Sequence, residues 1–256
     1  MTQHPIRGHT QGRTEDELLW FQRRSFLYNA AAWTAMGGFA GAQAQSRSNI
    51  VELVGDALVN GIRLLPQRTI QTGDRLETGP ASSLIFVLGN SSFQVRQNSR
   101  ITVERGNSLN AVSVLRLLTG AVASVWGQGT RRQIITPTLT AGIRGTGVYT
   151  EVLPNQGYRT YFCNCYGAVD VRAGPDSVQS VASYHQAFWG EAAPKAGRYL
   201  TPAAAVNHSD EELEYLARLV SQRTAWQVAG TKGSRDGKGY MPDGQQQAHP
   251  ATMLGR

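Results

Sequence analysis

Ser83-Leu84-Ile85-Phe86-Val87-Leu88-Gly89-Asn90-Ser91-Ser92-Phe93-Gln94-Val95-Arg96 decides the fold class. A short apolar run stops at Gly89-Asn90, and apolar/polar alternation resumes after it. That is the pattern of two strands joined by a tight turn. Working outward, the same rhythm recurs. Ile50–Gly55 and Ala57–Leu64 lie upstream, the second interrupted by Asn60-Gly61, the strongest short hairpin signal. Ser99–Glu104, Gly120–Trp126 and Gln133–Thr136 lie downstream. Val112–Leu118 fits a strand or a helical turn equally, because its apolar residues carry no clear period. Strands at intervals of roughly 8–12 residues predict a mainly β chain, a single-domain β-solenoid, roll or sandwich. No βαβ alternation is present, which argues against a doubly wound sheet.

Composition narrows the function classes. The chain has 256 residues, 41% of them hydrophobic, enough for a sizeable core. Lys plus Arg number 25 against 18 Asp plus Glu, a net charge of +7. The basic residues are spread along the chain without a cluster or motif, so a nucleic-acid partner is not expected. Two cysteines exclude a disulfide-dense scaffold.

The first 44 residues read as an address. Arg23-Arg24-Ser25-Phe26-Leu27 precedes a mildly apolar, Ala- and Gly-rich run from Tyr28 to Ala42. The run closes on Ala42-Gln43-Ala44, a small-x-small cleavage site, with Ala40-Gly41-Ala42 as an alternative two residues earlier. The segment resembles a bacterial twin-arginine export signal, with Arg23, Arg24, Ala42 and Ala44 as its signal residues. It is shorter than the ~20 residues that span a bilayer comfortably. Cleavage would release the chain into the periplasm. An uncleaved signal would anchor it in the inner membrane. No later segment is apolar enough to span, so the mature chain is expected to lack a transmembrane helix.

Residues 45–172 carry a second resemblance. Gln71-Thr72-Gly73-Asp74-Arg75-Leu76-Glu77-Thr78-Gly79 looks like the GD-x-(I/L)-x-TG signature of FecR-like domains, the periplasmic modules of iron-transport regulators. Leu53–Gly61, Leu118–Val122, Thr136-Pro137 with Ile143–Thr146, and Gly167–Val171 resemble further family motifs, in family order. The resemblance implies an all-β module that binds a partner and performs no catalysis. The residues themselves read as structural. Gly73 and Gly79 suit turns, Asp74 suits an Asx-type bond to nearby amides, and Arg144 suits a carboxylate across the sheet. In the family, a cytoplasmic regulatory region and a membrane helix precede the module. Only 22 residues precede Arg23, so direct control of a sigma factor is not expected. An outer-membrane transducer, another envelope protein or a cell-wall polymer is the expected partner.

One constellation points to chemistry. In Tyr161-Phe162-Cys163-Asn164-Cys165-Tyr166-Gly167 a strand would put Cys163 and Cys165 on one face. Their Cα atoms would be about 6.6–6.8 Å apart, the upper limit for an unstrained disulfide. Two thiolates on one face supply half of a site for a soft or borderline ion such as zinc, with His185 and His208 as completing candidates. The metal set Cys163, Cys165 and His185 stands beside the alternative of two small core residues or a labile disulfide. A periplasmic metal-binding or redox protein is thus the second function class. No acid/base pair or nucleophile sits at recognisable spacing, so no catalytic residue is assigned.

The tail divides in two. Residues 173–228 form an appendage. Its Ser183–Gly190 stretch is aromatic and reads as core. Within it Ser209-Asp210-Glu211-Glu212 is a capping box. Leu213, Leu216, Ala217 and Val220 form one apolar stripe, predicting an amphipathic helix over 210–222. His208 reads most simply as a helix-entry residue. Residues 229–256 are Gly-, Gln- and Pro-rich and read as a disordered tail.

Overall fold

The computed structural model describes residues 48–106, 111–129 and 132–239. The export signal with its cleavage residues, and residues 240–256 of the tail, lie outside them. The described chain is mostly β-strand. β1 (Ile50–Val54), β2 (Ala57–Val59), β3 (Ile62–Arg63), β4 (Arg75–Thr78), β5 (Ser83–Leu88), β6 (Ser91–Val95) and β7 (Arg100–Arg105) precede a 15-residue β8 (Val112–Trp126). β9 (Arg132–Ile135), β10 (Thr140–Leu153), β11 (Arg159–Ala173), β12 (Asp176–Ala182), β13 (Gln186–Lys195) and β14 (Arg198–Ala203) follow. Two helices end the described chain, α1 (Asp210–Leu219) and α2 (Ala225–Ala229).

The strands join in one mixed 14-stranded sheet. Its pairings are antiparallel except β8 with β9, which is parallel. The expected mainly β class is observed, as a mixed sheet followed by two helices. Strand structure continues well beyond residue 172: β12, β13 and β14 occupy much of the appendage and pair directly with β11 and each other.

The deciding stretch forms the β5–β6 hairpin, with Leu88 opposite Ser91 and Phe86 opposite Phe93. Asn60 and Gly61 both take positive φ, 52° and 79°, at the β2–β3 turn, as a type I′ hairpin requires. Val112–Leu118, ambiguous in sequence, is strand, because β7 pairs along it. Asp74 accepts the Gln71 amide at 2.8 Å, the local bond its motif suggested. Gly73 takes φ +103°, whereas Gly79 is not left-handed. Arg144 pairs with Asp170 at 2.9 Å across β10 and β11.

Gly120 explains one motif fully. β8 pairs with β7 before it and with β6 and β10 after it. At this change of neighbours φ is +78°, and a Cβ would lie 2.6 Å from Ser99 Cα and 2.8 Å from Asn98 O. Gly120→Ala is therefore expected to cost about 1–3 kcal/mol. A denaturant midpoint equal to the parent's would refute this account.

The buried apolar side chains fall into two clusters, set by strand alternation. Val148, Val152 and Phe162 join the first, which holds Phe86, Phe93 and Trp126. Tyr149, Tyr161, Cys163 and Cys165 point the other way and join the second, with Leu213, Leu216, Ala217 and Trp226 from the helices. The first core comes from the strands and the loops between them, with no residue of either helix. The second is completed by α1 and α2.

Helix α1 begins as predicted. Ser209 Oγ accepts the Glu212 amide, and Glu212 reaches back to the Ser209 amide at 2.9 Å. It ends at Leu219, with Val220 as its C-cap rather than inside the stripe. Helix α2 has its own capping box, Thr224 with Gln227. Five residues are too few to show a helical period, so α2 left no trace in the sequence pattern.

Candidate metal centre

Strand β11 carries Cys163 and Cys165 into the second core, both fully buried and unpaired as a disulfide. His185 sits in the tight connection between β12 and β13. Its backbone is held at φ +39°, and its amide donates to Cys165 O at 2.8 Å. A non-glycine residue in that region is strained, a cost that persists only where the surroundings enforce it. His208 lies just before the Ser209 cap, so the same turn that starts α1 aims its ring at the cysteines. It is a helix-entry residue and a site residue at once.

The four ligand atoms, Cys163 Sγ, Cys165 Sγ, His185 Nδ1 and His208 Nε2, all lie within 4.8 Å of one another. Three separations are 3.6 Å (Cys163 Sγ to His185 Nδ1), 3.4 Å (Cys165 Sγ to His208 Nε2) and 3.0 Å (between the two nitrogens). A tetrahedral zinc ion with Zn–S of about 2.3 Å and Zn–N of about 2.0–2.1 Å would set N–S edges at about 3.5–3.6 Å, close to those observed, and the N–N edge at about 3.3 Å, slightly longer than the 3.0 Å contact. The cluster can therefore coordinate a metal ion. The expected trio of Cys163, Cys165 and His185 is brought together, and His208 completes the set.

The outer partners fix the proton positions. His208 Nδ1 lies 2.7 Å from Val206 O, which can only accept, so that nitrogen carries the hydrogen. His185 Nε2 lies 2.9 Å from the Asp210 Oδ1 acceptor and 3.3 Å from Arg235 Nη1, and the shorter carboxylate contact favours donation outward. With both rings neutral, the two inward nitrogens present lone pairs to each other at 3.0 Å. That contact is repulsive unless a proton or a cation lies between them. Carboxylate and carbonyl partners on the remote nitrogens are the usual second layer of metal-bound histidines. Each ring is also held face-on, His208 by Tyr149 at 4.7 Å and His185 by Trp226 at 5.3 Å between centroids.

The electrostatics favour a single thiolate, on Cys163. Burial pushes the Cys163 thiol up, but its hydrogen bond with Cys165 and the nearby His208 and His185 outweigh this and hold it well below the usual range. Burial and the adjacent Cys163 sulfur push Cys165 well above it. Burial disfavours charge on His185, yet Asp210 and Cys163 raise its pKa. Asp210 is held below the usual carboxylate range: burial opposes this, and bonds from His185 and Lys232 prevail. Arg235 reaches Asp210 at 2.6 Å and Lys232 at 2.7 Å.

Asp210 and Arg235 carried no sequence signal as site residues. Asp210 read only as a favourable charge at a helix start, and Arg235 fell in the expected disordered tail. The structure instead places residues 231–239 across the site. Ala205 N donates to Arg235 O, Ala187 N donates to Gly237 O, and Arg235 Nη2 donates to His208 O at 2.6 Å.

No family model matches the chain, and no curated protein matches it. Two crystal structures of a candidate anti-sigma factor from Parabacteroides distasonis ATCC 8503 resemble it distantly. One has 7% identity and a TM-score of 0.43, covering 62% of this chain and 65% of that one. The other has 8% identity and a TM-score of 0.42, covering 60% and 64%. The chain spans slightly under two thirds of their length. A likeness of this degree assigns neither family nor function.

Asp210→Asn is expected to weaken metal binding about 10- to 100-fold, the usual effect of removing an outer-layer partner. Competition against a chromogenic chelator reads this directly. Unchanged competition would remove Asp210 from the account.

Proposed function

We propose that the chain is an exported, non-enzymatic interaction module of the bacterial envelope, built around a zinc-type Cys2His2 centre. The observation that carries the metal is the convergence of four donors with both outer ring nitrogens already committed. The chemistry of the set favours zinc: two thiolates and two neutral imidazoles in tetrahedral array suit it. A divalent ion also cancels the two thiolate charges, while Asp210 is matched separately by Arg235 and Lys232. Four protein ligands in a buried site leave no open position for a substrate, the mark of a structural rather than a catalytic zinc site.

The interaction role is supported by the FecR-like motifs, whose residues Asp74, Gly120 and Arg144 shape turns, strand changes and cross-sheet pairs rather than a catalytic pocket. The proposed partner is an outer-membrane transducer, another envelope protein or a cell-wall polymer. The proposed location is the periplasm, reached through the Arg23-Arg24 signal. No helix among the described residues is long and apolar enough to cross a membrane.

The test uses protein recovered from the periplasm. Mass spectrometry is expected to find a new N-terminus at Gln43 or Gln45, and elemental analysis about one zinc per chain. An intact N-terminus in the membrane fraction would defeat the export reading. Recovery of metal-free protein with two reactive thiols would defeat the metal reading. A pull-down with the mature, metal-loaded protein then identifies the partner.

A further inference from the structure

The centre does more than occupy a core. Its ligands come from three places: Cys163 and Cys165 from the sheet, His185 from the β12–β13 connection, and His208 from the segment that leads into α1. Residues 204–239 form the cap that follows β14. This cap contains α1, α2 and the strap 231–239. It covers the face of the sheet that presents Tyr149, Tyr161, Cys163, Cys165 and Tyr166.

Remove the ion, and polar ties remain between cap and sheet: His185 and Tyr184 to Asp210 at 2.9 and 3.0 Å, Asn207 Nδ2 donating to Glu151 at 2.8 Å, and those of Arg96, Ser92 and Tyr161. Arg96 holds both Glu212 oxygens at 2.6 and 2.7 Å, and its other nitrogen reaches Asn207 O. Ser92 Oγ donates to Leu216 O at 2.7 Å. Tyr161 OH donates to Ala204 O and accepts the Val206 amide. The buried apolar contribution comes mainly from Leu213, Leu216, Ala217 and Trp226. Helices of ten and five residues do not hold themselves together in water. These ties are set against the ordering of the whole segment from 204 to 239.

The strap is seated in the same way. Gly237 takes φ +81°, and any Cβ there would overlap the Ala203 carbonyl oxygen. Its backbone bonds to Ala205 and Ala187, with the Arg235 contacts to Asp210 and His208 O, tie it to the residues that place the histidines. The first core shares none of these groups.

We propose that the metal is a latch: bound, it holds residues 204–239 down on the aromatic face of the sheet, and on its removal this cap undocks while the β body stays folded. The inference rests on the metal reading above. It follows from two cores with separate memberships and from a ligand set that bridges only the second. Local opening of a cooperative unit below the global transition is the expected behaviour of such an arrangement.

Hydrogen exchange read by mass spectrometry tests this on the full-length protein as purified. Metal-loaded protein is compared with protein stripped by a chelator, the metal released being counted in the same samples. Exchange in peptides spanning 204–239 is expected to quicken about 100- to 1,000-fold, the factor by which a ligand at 100 to 1,000 times its Kd stabilises the state that binds it. Peptides from β5, β6 and β8 are expected to stay protected. His208→Ala, held in excess zinc, is expected to show the same open cap over the same protected body. Metal released with the cap still protected overturns the latch and leaves the metal centre standing. Cap and body losing protection together also overturns it. Starting protein that contains no metal overturns both readings.

Discussion

Cys163→Ser is expected to bring bound zinc from about one equivalent to a trace. A structural zinc site contributes about 10–16 kcal/mol of apparent binding free energy near neutral pH in small domains. Spread over four ligands, that is about 2.5–4 kcal/mol each, or roughly 60- to 1,000-fold in metal affinity. Serine is close to cysteine in size, so packing beside Tyr149 and Tyr161 is nearly conserved while the soft ligand is lost. The contrast with the competing account is therefore sharp. If Cys163 were only a small core residue, serine would bury a hydroxyl among apolar neighbours and stability would fall slightly, with no effect on metal content. The deciding measurement is elemental analysis of Cys163→Ser and Cys165→Ser, each purified beside the parent in zinc-supplemented medium. Equal zinc in parent and variants would remove the cysteines from the ligand set.

Phe93→Ala is expected to cost about 3–5 kcal/mol, the range for removing a fully buried phenyl ring. Phe93 lies on β6, between β5 and β8, with no exposed surface. Its ring stacks on Phe86 at 5.0 Å and meets the Trp126 edge at 5.1 Å. Both partners belong to the first core, so the cavity opens where α1 and α2 cannot collapse into it. Against a typical total stability of about 5–15 kcal/mol, the loss leaves a marginal body. Urea titration gives the change. Zinc per folded chain is expected to stay at one, because Phe93 lies on the face away from the ligands. A small shift in midpoint, or loss of zinc from folded chains, would contradict the separation of the two cores.

The β body was legible from the sequence where the pattern is local. The Gly89-Asn90 stop and the Asn60-Gly61 pair mark their hairpins, and the Ser209–Glu212 box marks the start of α1. Each signal needs only neighbours within a few residues. Val112–Leu118 was not decided, because β7 partners it from a separate stretch of chain and its apolar residues follow no single period. Residues 231–239 look unstructured for a related reason. They gain order from backbone bonds to Ala187 and Ala205 and from the Arg235 contacts, rather than from apolar side chains of their own.

The candidate site was half legible. Alternation alone put Cys163 and Cys165 on one face, and that held. His185 and His208 were candidates by residue type, but the 22- and 43-residue separations that bring them to the sulfurs are properties of the sheet. Asp210 had a complete local explanation as a helix-start acid, which concealed its bond to His185. The family resemblance implied a partner-binding module and was silent on the cysteines.

X-ray absorption at the zinc edge of the purified full-length protein tests the central claim most directly. The account predicts two sulfur scatterers at about 2.3 Å and two nitrogen scatterers at about 2.0–2.1 Å, four ligands in all. A shell of oxygen ligands without sulfur, or protein carrying no zinc with both cysteines free, would contradict it.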